Sequence, residues 1–161
     1  MEQELMAIHS ATIRWQLEDA ESFADNRYSR AHTWSFDGGT VVSASSSPAV
    51  VPVPMSSTDA VDPEEAFVAS LSSCHMLWFL SVAAGRGFTV VGYRDEPRGR
   101  MGRNAAGKMA MTRVDLAPSA IFSGDRRPTA AEVDAMHHAA HESCFIANSV
   151  TTDVVCTPVH E

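Results

Sequence analysis

Asp62-Pro63-Glu64-Glu65-Ala66-Phe67, continuing through Ser72-Ser73-Cys74 to Gly85, is the stretch on which the fold turns. Its opening is a helix start. Asp62 suits the N-cap, Pro63 the first helical position and Glu65 the capping-box position. Residues 66–85 then contain no Asp, Glu, Lys or Arg, and Gly85 or Gly87 supplies the stop. Apolar side chains occur all round this helix, which predicts burial on most faces. The run is nearly long enough to span a bilayer. Ser70, Ser72, Ser73, His75 and Ser81 interrupt it, however, and the flanking segments alternate as soluble strands do. The reading is a central buried helix.

Working outward, residues 8–17 alternate around Ile13 and Trp15 and predict a first strand. In residues 28–36, Tyr28, Trp34 and Phe36 share one parity with His32. Asp37-Gly38-Gly39 then turns the chain into a returning strand over residues 40–44. Residues 45–61 are rich in Ser, Pro and Val and read as an ordered connector. Beyond the helix, residues 88–101 and 108–122 predict two strands joined at Asn104-Ala105-Ala106-Gly107. Thr129 and Glu132 form a capping box for a second helix lasting to about residue 147, and residues 151–157 read as a closing strand. The order of strands, long helix, strands, helix and strand predicts an α+β fold in a single domain over residues 1–161.

Bulk properties remove several function classes. The chain has 161 residues, 45% hydrophobic and 20% charged, and a formal charge of −8. That balance opposes nucleic-acid binding, which leaves a basic footprint, and disfavours anionic membranes. The arginines between Arg94 and Arg103 read as strand ends and turns. The acidic opening, Met1-Glu2-Gln3-Glu4, has no secretory character, so a cytoplasmic location is expected. No glycine-rich phosphate loop and no Gly-x-Ser-x-Gly elbow occurs.

The chemistry rests on thiols. The three cysteines are 70 and 12 residues apart, with no C-x-x-C spacing, so they are neither a disulfide framework nor a zinc ribbon. Cys74 lies about 15 Å into the first helix, too far for the helix dipole to activate it. A nucleophilic Cys74 therefore needs a nearby cation. Arg30 and Arg27 are available, and an inward guanidinium would need a carboxylate such as Glu64. Cys144 shares a helical face with Val133, His137 and Ala140, with His141 about 60° away and His138 pointing elsewhere. Two inward cysteines on two helices, with Arg and Glu at hand, favour a redox pair over two core thiols. Cys156, alternating with valines, reads as structural. His75, His137, His138 and His141 invite a metal reading, but without H-E-x-x-H or fixed cysteine spacing no metal and no cofactor is assigned.

At these residues the sequence resembles the OsmC/Ohr family of peroxide-reducing proteins. Residues 62–67 with Ser72-Ser73-Cys74 resemble that family's first-cysteine helix, and Ala140-His141-Glu142-Ser143-Cys144 resembles its second-cysteine motif. The resemblance implies antiparallel sheets around the long central helix, in a tightly intertwined homodimer with sites at the subunit interface. It implies a Cys-based peroxidase active in oxidative-stress defence. Cys74 would be the peroxidatic thiol toward organic hydroperoxides, and hydrogen peroxide is a further candidate. Cys144 would be its resolving partner, Arg30 the thiolate-stabilising arginine and Glu64 its orienting glutamate. A dithiol or lipoyl-type reductant would reopen the disulfide. Arg27 competes with Arg30 for its role. The chain departs from the family at Phe145-Ile146-Ala147-Asn148-Ser149, where Pro often follows the second cysteine. Two alternatives stay open on the same fold: a non-enzymatic hydrophobic-ligand carrier, and a metal-binding protein using His75, His137, His141 and a cysteine.

Overall fold

A computed structural model describes residues 7–160; the acidic opening, residues 1–4, lies outside them. The chain forms two compact units, one through Pro63 and one from Glu64. The first unit holds β1 (Ala11–Arg14), β2 (His32–Phe36) and β3 (Val41–Ala44), an antiparallel sheet in that order. Pairing of Ile13 with Trp34, and of Trp34 with Val42, puts the large apolar side chains in one row. The first strand is shorter than its alternation predicts. Trp15 falls outside it, donates its indole N–H to the Ser29 carbonyl at 2.8 Å, and packs with Phe23 and Tyr28. The Ser- and Pro-rich connector is irregular, as expected. Its residue Val61 bridges to Ala44 and closes the unit.

The second unit is built on α1 (Pro63–Gly85). The helix ends where glycine was expected: Gly87 has φ +79°, the left-handed region that favours a residue without Cβ. Full burial is confined to one stripe, Leu71, His75, Phe79 and Ala83, spaced four residues apart. On another side Leu77 remains 61% exposed. The length and apolar composition of α1 would allow a membrane crossing, but the buried stripe makes it a core helix. Leu71 packs with Val114 and Leu116, whereas Phe79 and Ala83 pack with Phe88, Met136 and Ala140. Burying each of the larger side chains contributes roughly 1.5–3 kcal/mol.

The two long strands expected after α1 are each broken in two. The segments are β4 (Thr89–Arg94), β5 (Arg98–Arg103), β6 (Met109–Leu116) and β7 (Ser119–Ser123). The inner pair β5–β6 and the outer pair β4–β7 belong to different sheets. The breaks fall at Pro97 and Pro118, which have no N–H for a ladder. Asp95 fastens the corner: one carboxylate oxygen accepts the Ser72 hydroxyl, and the other accepts the Ala117 N–H at 2.8 Å. At the β5 crossing a Cβ on Gly99 would lie 2.6 Å from Val68 and 2.5 Å from Met111, so only glycine admits this approach to α1.

After β7 comes α2 (Ala130–Ser143). Its capping box forms as read: Thr129 Oγ1 accepts the Glu132 N–H at 3.2 Å, and the Glu132 carboxylate accepts the Thr129 N–H at 2.8 Å. Thr129→Ala should therefore lower stability by about 1 kcal/mol. A melting midpoint lower by roughly 2–4 °C, followed by far-UV circular dichroism, is the expected result. The helix stops earlier than predicted, at Ser143, and a 3-10 turn (Ala147–Ser149) follows. The last strand, β8 (Asp153–Cys156), pairs with β6 in parallel, from Arg113–Asp153 to Leu116–Cys156.

Candidate active site

Cys74 lies in the middle of α1 and is half-buried. Cys144 is 1% exposed, and it is the cap of α2 rather than a helical residue, with φ −67° and ψ 110°. The chain turns so tightly here that the Ala147 N–H points at the Cys144 sulfur, 3.4 Å away. Cys74 lies close enough to the Cys144 thiol to disfavour its ionisation. Burial pushes the Cys144 pKa above that of an ordinary thiol. Neighbouring Cys74 pushes the same way, against the Ala147 and Ile146 amides. At neutral pH Cys144 is thus a protonated thiol. Both cysteines are free. Beside them the Trp78 and Phe145 rings meet edge to face, with centroids 5.3 Å apart. They form an apolar flank one helical turn after Cys74 and one residue after Cys144.

Arg30 belongs to the first unit and Glu64 to the second. The Arg30 guanidinium is half-buried, stacks 3.8 Å over the Tyr28 ring and donates to the carbonyls of Asn26 and Tyr28 and to Asn26 Oδ1. Its own carbonyl accepts the His32 Nδ1–H at 2.7 Å, and His32 Nε2 in turn accepts the Trp34 indole N–H at 3.0 Å. That chain fixes the His32 tautomer. Arg27 differs. Its side chain is 79% exposed and faces Asp25 at 3.6 Å. Glu64 is half-buried in the first turn of α1.

The histidines follow their sequence reading in part. His137 points inward, as its helical face requires, and His138 is exposed. The inward one joins His75 and Cys156, not Cys144. His75 Nε2 and His137 Nδ1 are 2.9 Å apart, and Cys156 Sγ is 3.6 Å from the same His75 nitrogen. Burial holds both imidazoles down to about 4 and pushes the Cys156 thiol up to about 12, so all three are neutral at pH 7. Cys156 is therefore a poor nucleophile. The metal alternative already groups His75 with His137; the sequence does not show that Cys156 is the cysteine that joins them, because β8 must pair with β6 before Cys156 reaches α1. Sequence reasoning also missed the Trp78–Phe145 contact, for which the aromatic residue immediately after Cys144 was the available signal.

The family profile for OsmC-like proteins matches residues 56–158. The chain belongs to the OsmC-like family. Its fold is similar to that of an OsmC-like protein of unknown function from Vibrio cholerae. The two are 55% identical, with a TM-score of 0.94 over 96% of this chain and 100% of that one. Fold similarity extends to an organic hydroperoxide resistance protein from Elizabethkingia anophelis, at 15% identity and a TM-score of 0.73 over 98% and 99% of the two chains. It extends also to the organic hydroperoxide resistance protein OhrB of Bacillus subtilis, at 16% identity and a TM-score of 0.65 over 95% and 98%. No curated protein matches the sequence. In this OsmC-like chain Cys74 and Cys144 are brought together, and both lie within the matched region.

Proposed function

We propose that this OsmC-like protein is a thiol-dependent peroxidase that reduces organic hydroperoxides to alcohols. The observation that carries the reading is the proximity of Cys74 and Cys144, two free thiols from separate elements close enough for one to shift the ionisation of the other. The Cys74 thiolate attacks the distal peroxide oxygen, the O–O bond breaks, and the alcohol leaves with one proton. The resulting Cys74 sulfenic acid condenses with the Cys144 thiol, forming a disulfide and releasing water. A dithiol or lipoyl-type reductant then reopens the disulfide by exchange. The Trp78–Phe145 flank suits the alkyl part of such a substrate.

Arg30 serves as the thiolate-stabilising cation in this reading, with Glu64 orienting it. Arg30 is preferred to Arg27 because it is held half-buried, whereas the exposed Arg27 stays with Asp25. The units act together as one domain over residues 1–161, in a cytoplasmic homodimer. In keeping with a dimer, Leu77 and Phe145 of the second unit leave 61% and 68% of their surface exposed.

The deciding experiment mixes reduced protein with one equivalent of cumene hydroperoxide, counts free thiols and maps the products by mass. Rapid formation of a Cys74–Cys144 disulfide is expected. Unreacted thiols in folded protein would end the proposal. Cys144→Ser should permit one oxidation of Cys74 and then stall or over-oxidise, visible as sulfinic acid at Cys74. Undiminished multiple turnover in that variant would remove Cys144 from the resolving role.

A further inference from the structure

The peroxidase chemistry leaves His75, His137 and Cys156 unused. Three separate elements, α1, α2 and β8, bring them together, and the two histidines are 1% and 2% exposed. The ligand atoms His75 Nε2, His137 Nδ1 and Cys156 Sγ all lie within 4.8 Å of one another. We propose that these three side chains form a binding site for one transition-metal ion of the zinc(II) class.

Geometry is the first argument. Tetrahedral zinc with bonds of about 2.3 Å to sulfur and 2.0–2.1 Å to nitrogen sets ligand atoms about 3.6 Å apart for S–N and about 3.3 Å for N–N. The observed separations are 3.6 Å from Cys156 Sγ to His75 Nε2 and 2.9 Å between the imidazole nitrogens. The first already fits. The second needs to open by about 0.4 Å and the rings to tilt, because the imidazoles are now within 5° of coplanar and share a proton between facing lone pairs.

The second argument is the poorly matched state of the histidine pair without a metal. His75 Nδ1 and His137 Nε2, the outer nitrogens of the pair, are buried without a hydrogen-bond partner among the described residues, as is Nδ1 of His141. A neutral pair joined by one N–H···N bond leaves one buried donor and one buried acceptor unmet at its ends, an arrangement native cores avoid. Coordination at the inner nitrogens replaces that single N–H···N contact with metal–ligand bonds and leaves both outer nitrogens as N–H donors, so the gain comes from the coordination bonds themselves. The proton balance is simple. Both imidazoles carry their single proton on the outer nitrogen when the inner one ligates, and only the Cys156 proton is released.

Access is the third. A cavity of about 650 Å³ is lined by His137, His138, His141, Cys156 and His160, so two of the three ligands border a space an ion can enter. Three protein ligands leave a fourth tetrahedral position open. His141, one helical turn beyond His137, faces the same cavity and is placed to hydrogen-bond a water there.

The test is a titration of reduced, chelator-treated protein with cobalt(II), followed by competition with zinc(II). The expected result is one equivalent bound, a thiolate-to-cobalt charge-transfer band, and one proton released per ion. Cys156→Ser should lose the band and His137→Gln should lose stoichiometric binding, whereas Cys144→Ser should keep both. Circular dichroism establishes that each variant is folded, and Cys156→Ser decides if His137→Gln does not fold. Absence of saturable binding by the wild-type protein would overturn the site, as would a band that survives in Cys156→Ser. Because Cys144→Ser must still bind, failure of the peroxidase reading leaves this result intact.

Discussion

Cys74→Ser is expected to reduce hydroperoxide consumption to the uncatalysed background, with Cys144 and Cys156 recovered as free thiols after exposure to the oxidant. The thiolate is the attacking species in such chemistry, and a serine hydroxyl is not ionised at neutral pH. Replacing sulfur by oxygen at a half-buried position leaves the packing of α1 nearly unchanged. The loss of activity should therefore come without a comparable loss of stability. Steady-state peroxide consumption and a thermal melt on the same sample separate the two. Substantial turnover in a variant with a wild-type melt would mean that Cys74 is not the reacting thiol. Cys144, held as a protonated thiol by its burial, is poorly suited to take over the attack.

Phe79→Ala should produce the largest loss of stability. Phe79 is completely buried, its ring lies almost parallel to His137 with centroids 4.0 Å apart, and Tyr93 and Phe122 surround it. Removal forfeits the burial of an aromatic ring and leaves a cavity between α1, α2 and the β4–β7 sheet, at a cost of about 3–5 kcal/mol. For a chain of this length the melting midpoint should fall by roughly 6–20 °C. A fall of only one or two degrees would mean that the second unit draws its stability from elsewhere. The same variant removes the surface that holds the His137 ring, so its metal affinity should fall as well.

The features legible in the sequence were those specified by neighbours in the chain. Asp62-Pro63 announces α1 and Gly87 ends it, because capping chemistry needs only a few consecutive residues. Thr129 and Glu132 did the same for α2. The corner at Asp95 was not legible: its partners Ser72 and Ala117 are 23 and 22 residues away, and nothing local distinguishes a bent strand from a straight one. The end of α2 at Ser143 was missed for a related reason. Neither glycine nor proline marks it, and the stop comes from the turn that wraps the Ala147 amide onto Cys144. At the site, the motifs around Cys74 and Cys144 were readable through their family resemblance. That His75 and His137 could share a site was foreseen, but the place of Cys156 beside His75 was not, since it joins residues 81 positions apart.

The parallel pairing of β8 with β6 has a consequence during synthesis. The β5–β6 hairpin closes over a short turn and can form in about 1–10 μs. Its outer edge must wait for residues that follow β7 and α2, because Leu116 pairs with Cys156. At a ribosomal rate of about 5–20 residues per second, those forty residues take about 2–8 s to emerge. Throughout that interval β6 presents an open edge to any other extended chain. The nascent protein is then at its most vulnerable to misassociation, and the site that Cys156 completes is among the last parts of the molecule to exist.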